Sequence, residues 1–128
     1  MASELRVNTL KDASGNNSVG VSSVAKGTKV LHVADQTGTQ GTLSSFNISS
    51  IADFATGGST SSFTNNMSDI NYVFNLSRDR TDGQNGGVVQ TSTSSAPTSS
   101  SVKFNCFGEN FSGQDVDRAC LSIQGDLA

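Results

Sequence analysis

A strict two-residue alternation of apolar side chains runs from Ile70 to Leu76, with Tyr72 and Phe74 at the positions between them. Successive side chains of an extended chain point to opposite faces, so this period is typical of a β-strand that buries one face. The surrounding residues are mostly Ser, Thr, Asn and Gly, which disfavour helix. The segment therefore predicts a half-buried strand.

Composition supports a β-rich domain with an incomplete core. The chain has 128 residues, enough for about one domain. Its apolar share of 34% is low, whereas Ser and Thr together make up about a quarter of the residues, well above average usage. Charged residues reach only 15%, which argues against ordinary disorder. We expect strands faced with Ser and Thr, and some core supplied by identical neighbouring chains.

Other segments extend the β pattern along the chain. Strands are predicted at Lys29–Ala34, Val88–Thr93, Val102–Cys106 and Val116–Gln124, where Ala119, Leu121 and Ile123 share a face. Glycine-bearing turns are predicted at 35–41, at Gly57-Gly58, at Asp82-Gly83 and at Asn85-Gly86. Strands at even spacing with polar turns predict an antiparallel β-sandwich.

The segment around Phe46 predicts one strand with a local irregularity. Phe46 and Ile48 lie two residues apart, so they are expected on one face. The apolar spacing then shifts by one after Ser49-Ser50, as a β-bulge would produce. Gly57-Gly58 is expected to reverse the chain.

The two cysteines, Cys106 and Cys120, lie in strands that could pair as a hairpin about Gly113. A disulfide is then geometrically possible. The apolar patterns instead put Cys106 inward and Cys120 on the other face, and a reducing cytosol favours thiols. Free thiols are the preferred prediction, with the disulfide as the alternative.

A longer pattern begins with Ser45 to Ile51 and Asp53. It continues with a glycine-bearing turn, Phe63-Thr64, Met67, Asp69 and then Asn71-Tyr72. This pattern resembles the C-terminal domain of many tailed-bacteriophage fibre proteins. Those domains commonly show Ser-Phe-Asn-(Ile or Val)-Ser-Ser-Ile-x-Asp before such a turn. The resemblance covers roughly residues 26–128 and, more loosely, the opening residues. Where relatives often have Trp before the upstream turn, this chain has Leu31-His32.

The resemblance implies an all-β, antiparallel, jelly-roll-like sandwich head at 26–128 that assembles as a homotrimer, and an extended virion-attachment or trimer-threading segment at 1–25. Leu5, Val7 and Leu10 are the candidate attachment residues. A disordered leader is the alternative for this segment. The implied function is a structural virion protein, a short tail fibre or fibre tip that attaches to the host surface. Head decoration or a collar role is the alternative.

Two loops, Arg78–Gly87 and Gly108–Asp115, are the candidate host contacts, because binding residues often lie on loops of a rigid sandwich. Their arginines could bind acidic or hydroxyl-rich glycans, and Phe111 could stack on a sugar. Solubilising loops and a Phe buried in the trimer are the alternatives. The candidate contact residues are Arg78, Asp79, Arg80, Asp82, Asn85, Asn110 and Phe111.

Other function classes find little support in the sequence. A net charge of −3 with scattered basic residues does not favour nucleic-acid binding, and no apolar run approaches a membrane span. His32 is the only histidine and no nucleophile motif accompanies it, so we predict no enzyme, cofactor or metal site. Asp79, Asp82 and Asn85 could line a calcium loop, but a solvated turn is favoured. Without a secretion signal, folding in the host cytoplasm and release in the virion are expected. The expected partners are other phage structural proteins and a host cell-surface glycan or protein.

Overall fold

The computed structural model of the protein describes residues 9–11, 18–20, 27–79, 87–92 and 94–128. These residues form two four-stranded antiparallel sheets and a separate two-stranded sheet, with no helix among them. The strands are β1 (Thr9–Lys11), β2 (Ser18–Gly20), β3 (Thr28–Asp35), β4 (Gly41–Phe46), β5 (Ile48–Ala55), β6 (Gly58–Phe63), β7 (Val73–Asp79), β8 (Val88–Thr91), β9 (Ser101–Phe107) and β10 (Arg118–Gln124).

The two four-stranded sheets form a β-sandwich, as predicted. The first has the strand order β4-β3-β10-β7 and the second β5-β6-β9-β8. Each of two buried apolar clusters draws side chains from both sheets, so the sheets pack face to face. One cluster is centred on Val30, Phe63, Leu121 and Ile123, and the other on Ala34, Phe104, Cys106 and Ala119.

The two-residue periods of the last two strands are confirmed. Ala119, Leu121 and Ile123 are all buried, as the alternation in β10 predicts. In β9 the buried side chains are those of Val102, Phe104 and Cys106. The central strands of both sheets therefore point a regular row of apolar side chains into the core.

The prediction of one strand through Phe46 and Ile48 is wrong. Asn47 has a φ of 58°, in the left-handed region that Asn tolerates better than most residues. The chain turns there from the first sheet into the second, so Phe46 ends β4 and Ile48 begins β5. Phe46 consequently lies 57% exposed on the sandwich surface, apart from the half-buried Ile48.

The irregularity near Ser49 and the reversal at Gly57 are both confirmed. The pairing of β5 with β6 shifts register between Ile48 and Ser50, and the two strands form an antiparallel hairpin. Gly57 has a φ of 72° in the turn between them.

The alternating segment after this hairpin is shorter than predicted. Tyr72 is buried and the side chains of Phe74 and Leu76 are partly buried against the core. Ile70 is 59% exposed, because β7 begins only at Val73 and the residues before it form a loop. The expectation that Ile70 shares the buried face is wrong.

The hairpin predicted for β9 and β10 does not form. β9 pairs with β6 and β8 in the second sheet, whereas β10 pairs with β3 and β7 in the first. The connection around Gly113 therefore crosses from one sheet to the other. This crossing separates the two cysteines, which are both free.

Residues near the N-terminus form a small sheet of their own. β1 and β2 are antiparallel, with Leu10 opposite Val19. Residues 1–8, 12–17 and 21–26 lie outside the described residues. The sandwich itself begins with β3.

Candidate functional site

Three connections of the sandwich meet at one end, which we call the loop end. They are residues 36–40 between β3 and β4, the turn at Thr56-Gly57, and residues 108–117 between β9 and β10. The amide of Gln36 donates to the carbonyl oxygen of Val116 at 3.0 Å, which joins the first connection to the third. β7 ends and β8 begins beside them, so Arg78 and Gly87 also lie at this end.

The long connection at 108–117 is fixed to the turn at Gly57 by hydrogen bonds. The amide of Gly57 donates to Asp115 Oδ1 at 2.6 Å, and its carbonyl oxygen accepts from the amide of Cys106 at 2.8 Å. The amide of Gln114 donates to the carbonyl oxygen of Cys106 at 2.9 Å. A Cβ atom at Gly113 would overlap the carbonyl oxygen of Thr56. The loop is thus held close to the sandwich over several residues.

Buried polar side chains brace the loop end from inside. Gln36 Nε2 donates to the carbonyl oxygen of Gly57 at 3.1 Å and to Ser59 Oγ at 2.8 Å. Ser59 Oγ in turn donates to Gln40 Oε1 at 3.0 Å, and Gln40 Nε2 donates to the carbonyl oxygen of Gly58 at 3.0 Å. Since unpaired buried polar groups are costly, this network favours a single arrangement of the two turns. Among the buried side-chain nitrogen and oxygen atoms of the described residues, Gln36 Oε1 is the one without a nitrogen or oxygen hydrogen-bond partner.

His32 belongs to β3 and points inward between the two sheets, as do Val30 and Ala34 of the same strand. Its Nδ1 is 2.7 Å from Ser61 Oγ and its Nε2 is 2.9 Å from Thr42 Oγ1. Burial lowers the pKa of His32, because the charged imidazolium is poorly solvated there. Its two hydrogen-bonding partners are hydroxyl groups rather than carboxylates, so the geometry is that of a structural histidine.

Arg78, a predicted host contact, is directed into the loop end. Its Nη1 donates to Gln114 Oε1 at 3.0 Å, and a Cβ atom at Gly87 would overlap its guanidinium. The side chain is half-buried and links β7 to the long connection. Asp79 is exposed and lies opposite Arg118 in the ladder of β7 and β10. Arg80, Asp82 and Asn85 lie outside the described residues.

Asn110 and Phe111 are exposed on the long connection, where a host contact was predicted. Phe111 is 77% exposed and has a φ of 55°. A left-handed backbone at a non-glycine residue costs about 1–2 kcal/mol. The conformation is imposed by two bonds: Phe111 donates its amide to the carbonyl oxygen of Gly108 at 3.1 Å, and Gly108 donates to that of Ser112 at 2.9 Å.

A polar recess of about 310 Å³ lies in the same connection. Glutamate, amide and hydroxyl side chains and glycine backbone form its walls, so it offers hydrogen-bond donors and acceptors rather than apolar surface. Its lining residues are Gly108, Glu109, Asn110, Ser112, Gly113 and Gln114. An exposed aromatic ring beside a polar recess can take a ligand with one apolar face and several hydroxyl groups.

The candidate attachment residues near the N-terminus are only partly visible. Leu5 and Val7 lie outside the described residues, and Leu10 is described only as a backbone position in β1. Nothing in the sandwich bears on their proposed contact with the virion.

The cysteines lie as the apolar patterns predict. Cys106 is buried beneath the loop end and Cys120 is half-buried on the outer face of the first sheet. Burial raises the pKa of Cys106 to about 11. The thiols are therefore in different surroundings and only Cys120 faces outward.

Sequence reasoning missed the residues that shape the loop end. Gln36, Gln114 and Asp115 act through partners between 21 and 58 positions away in the chain. Glutamine and aspartate in predicted turns are ordinary, so no local pattern distinguishes them. Their roles depend on which turns meet in space.

Comparisons with known proteins add no relative to this description. No protein-family model, curated protein or solved structure matches the chain. Among the described residues, no group of three or more His, Cys, Asp or Glu side chains could hold a metal ion. No helix in that part of the chain is long and apolar enough to cross a membrane.

Proposed function

We propose that the protein is a structural virion protein of a tailed bacteriophage, a short trimeric tail fibre or fibre tip that attaches to the host surface. The observation that carries the proposal is Phe111, an exposed aromatic residue held in a left-handed conformation on a braced loop. Backbone strain of this kind is concentrated at binding and catalytic sites. The fibre-like pattern from Ser45 to Tyr72 supplies the biological setting.

The ligand of the loop end would be a glycan or protein on the cell surface. Phe111 offers a flat apolar face, and the recess at Gly108–Gln114 offers polar partners beside it. Arg78 remains a candidate contact for an acidic or hydroxyl-rich glycan, although its Nη1 already donates to Gln114 Oε1. Stacking on Phe111 is the contact on which the proposal depends. Asn110 is exposed next to the ring and remains a contact residue in the proposal.

A homotrimer with jelly-roll-like heads completes the proposal. Three loop ends on one particle would bind a repetitive surface by avidity, without any strong single contact. Exposed apolar side chains on the first sheet support association, since Leu31 and Phe46 lie opposite each other on its outer face. Clustered apolar surface of this kind commonly marks an interaction site.

Light scattering at several protein concentrations tests the assembly. A mass of three chains throughout is expected, because avidity requires the copies to stay together. A mass of one chain at every concentration would remove the multivalent mechanism.

Antibody labelling of virions that carry this gene tests the position. Label at the tail is expected, together with loss of adsorption when the gene is deleted. Label on the head alone would favour decoration or a collar role and would contradict attachment.

A further inference from the structure

The end of the sandwich opposite the loop end contains a second recess, of about 320 Å³. We call it the base recess. Met67 and Tyr72, both almost fully buried, form its apolar interior. Asp69 and Asp126 are exposed and supply carboxylates to its lining. The recess thus combines an apolar interior with negative charge.

The walls of the base recess are held by hydrogen bonds. Met67 donates its amide to the carbonyl oxygen of Ser99 at 2.7 Å, and Ser68 donates to that of Asp126 at 2.9 Å. The Tyr72 hydroxyl donates to the carbonyl oxygen of Thr98 at 2.9 Å, away from the recess lining. A Cβ atom at Gly125 would lie 2.9 Å from Met67 Cε, so glycine keeps the floor open.

Exposed apolar side chains accompany the base recess. Ile70 is 59% exposed, Val73 is 60% exposed and Leu127 is 39% exposed. Val73 lines the recess, Ile70 lies between the lining residues Asp69 and Asn71, and Leu127 follows Asp126. Burying such side chains against a partner would be worth about 25 cal/mol for each Å² removed from water. A single exposed apolar residue is ordinary, whereas three beside a preformed recess indicate an interaction surface.

The negative charge of the recess favours a positively charged partner. Among its described lining residues there is no Lys or Arg to neutralise Asp69 or Asp126. Asp69 Oδ1 accepts a hydrogen bond from the amide of Asn71 at 2.6 Å, which fixes the position of this carboxylate. A cationic group on an alkyl stem matches both parts of the recess, since Lys and Arg lay their stems on apolar surface while the charged end stays near water.

We propose that the base recess is a docking site for a segment of a partner protein in which a Lys or Arg is flanked by apolar residues. The alkyl stem packs on Tyr72 and Val73, the charged end meets Asp69 and Asp126, and the flanking residues cover Ile70 and Leu127. The inference goes beyond the proposed function, because it concerns the opposite end of the sandwich and a protein partner rather than a host receptor.

The test is a titration of the isotope-labelled full chain, followed by NMR, with three capped tripeptides. Valine-lysine-leucine is the probe, and valine-norleucine-leucine and valine-glutamate-leucine are its controls. We expect the lysine peptide to shift the amide signals of residues 67–73 and 124–126 at millimolar concentration, and to bind more weakly as salt rises. The norleucine peptide should bind more weakly than the lysine peptide and the glutamate peptide weakest of all.

A double variant, Asp69→Asn with Asp126→Asn, tests the charge. Asparagine keeps an oxygen for the bond to Asn71, so the fold should persist. Two exposed ion pairs are worth up to about 2 kcal/mol together, so the lysine peptide should bind up to about thirtyfold more weakly. The matched control, Asp53→Asn with Asp79→Asn, removes the same charge elsewhere and should leave the affinity unchanged.

Any one of three results would overturn the proposal: equal shifts by all three peptides, no shift at millimolar lysine peptide, or an unchanged affinity in the double variant. The outcome is independent of host attachment. Changes at Phe111 should not alter this titration, so failure of either proposal can be recognised separately.

Discussion

His32 is expected to make the free energy of unfolding depend on pH. Histidine is the side chain whose ordinary pKa lies near neutral pH, at about 6.5. It is the only histidine of the chain, and burial lowers its pKa below 6.5 in the folded state. Between the folded and unfolded pKa values, the unfolded state binds more protons. The stabilisation is therefore complete above about pH 6.5 and is lost as the pH falls towards the folded pKa.

The expected result is a lower free energy of unfolding at about pH 5.5 than at about pH 7.5. Urea unfolding of the wild type and of His32→Gln measures it, and the variant should show almost no change over this interval. An equal decline in both proteins would show that His32 does not cause it.

The two thiols are expected to differ sharply in reactivity. Thiolate is the reactive form, and burial raises the pKa of Cys106 to about 11, so its thiolate is scarce and inaccessible at neutral pH. Cys120 is half-buried on the outer face of the first sheet. Titration of the native protein with a chromogenic disulfide should modify Cys120 readily and Cys106 only after unfolding. Loss of the fast phase in Cys120→Ser would confirm the assignment, whereas two unreactive cysteines that respond only to reductant would indicate a disulfide.

At the scale of elements, the turn at Gly57 holds the loop end together. Gly57 and Gly38 both have positive φ values, 72° and 64°. A Cβ at Gly38 meets nothing within 4 Å, whereas one at Gly57 would overlap the carbonyl oxygen of Cys106. Gly38→Ala should therefore cost only the backbone strain, about 1–2 kcal/mol. Gly57→Ala should cost clearly more, because the clash adds to that strain.

Chemical denaturation of the two variants measures this difference. The Gly38 variant is the matched control, since it shares the backbone conformation but not the close approach. Equal losses of stability would show that the contact between the turn and β9 is looser than the structure indicates.

The strands were more predictable than the way they assemble. The faces of β9 and β10 follow from a two-residue period, which depends only on neighbouring positions. The crossing at Asn47 and the crossing around Gly113 depend on which sheet each strand joins. Extended segments on both sides of Asn47 are compatible with one bent strand or two separate strands, so local pattern could not decide between them.

The candidate site likewise combines features that the sequence predicts with features that depend on the three-dimensional arrangement. Phe111 could be selected from the sequence as an aromatic residue in a polar loop, but its left-handed backbone could not. The half-buried position of Arg78 could not be predicted, because its partner, Gln114, is 36 positions away. An arginine at the start of a charged loop is ordinarily solvated, and only the meeting of the two loops explains why this one is half-buried.

On the scale of the whole molecule, the two ends of the sandwich have different surfaces. The loop end presents Phe111 beside a polar recess, and the opposite end presents apolar side chains beside two carboxylates. A protein that joins a virion to a cell needs two distinct contact surfaces. The proposed function assigns the loop end to the cell, and the further inference assigns the base recess to a protein partner.

The attachment proposal depends on Phe111, so the most direct measurement is binding of labelled protein to a panel of bacterial strains, for the wild type, Phe111→Gly and Phe54→Ala. Glycine relieves the left-handed strain, so the Phe111 variant should be more stable than the wild type, by about 1 kcal/mol. Phe54→Ala is the control, because it removes an exposed ring from β5 of the second sheet, away from the proposed trimer contact of Leu31 and Phe46. The account predicts that the wild type and the Phe54 variant bind a susceptible strain, while the more stable Phe111 variant does not. Equal binding of all three proteins, or binding to none of the strains, would contradict it.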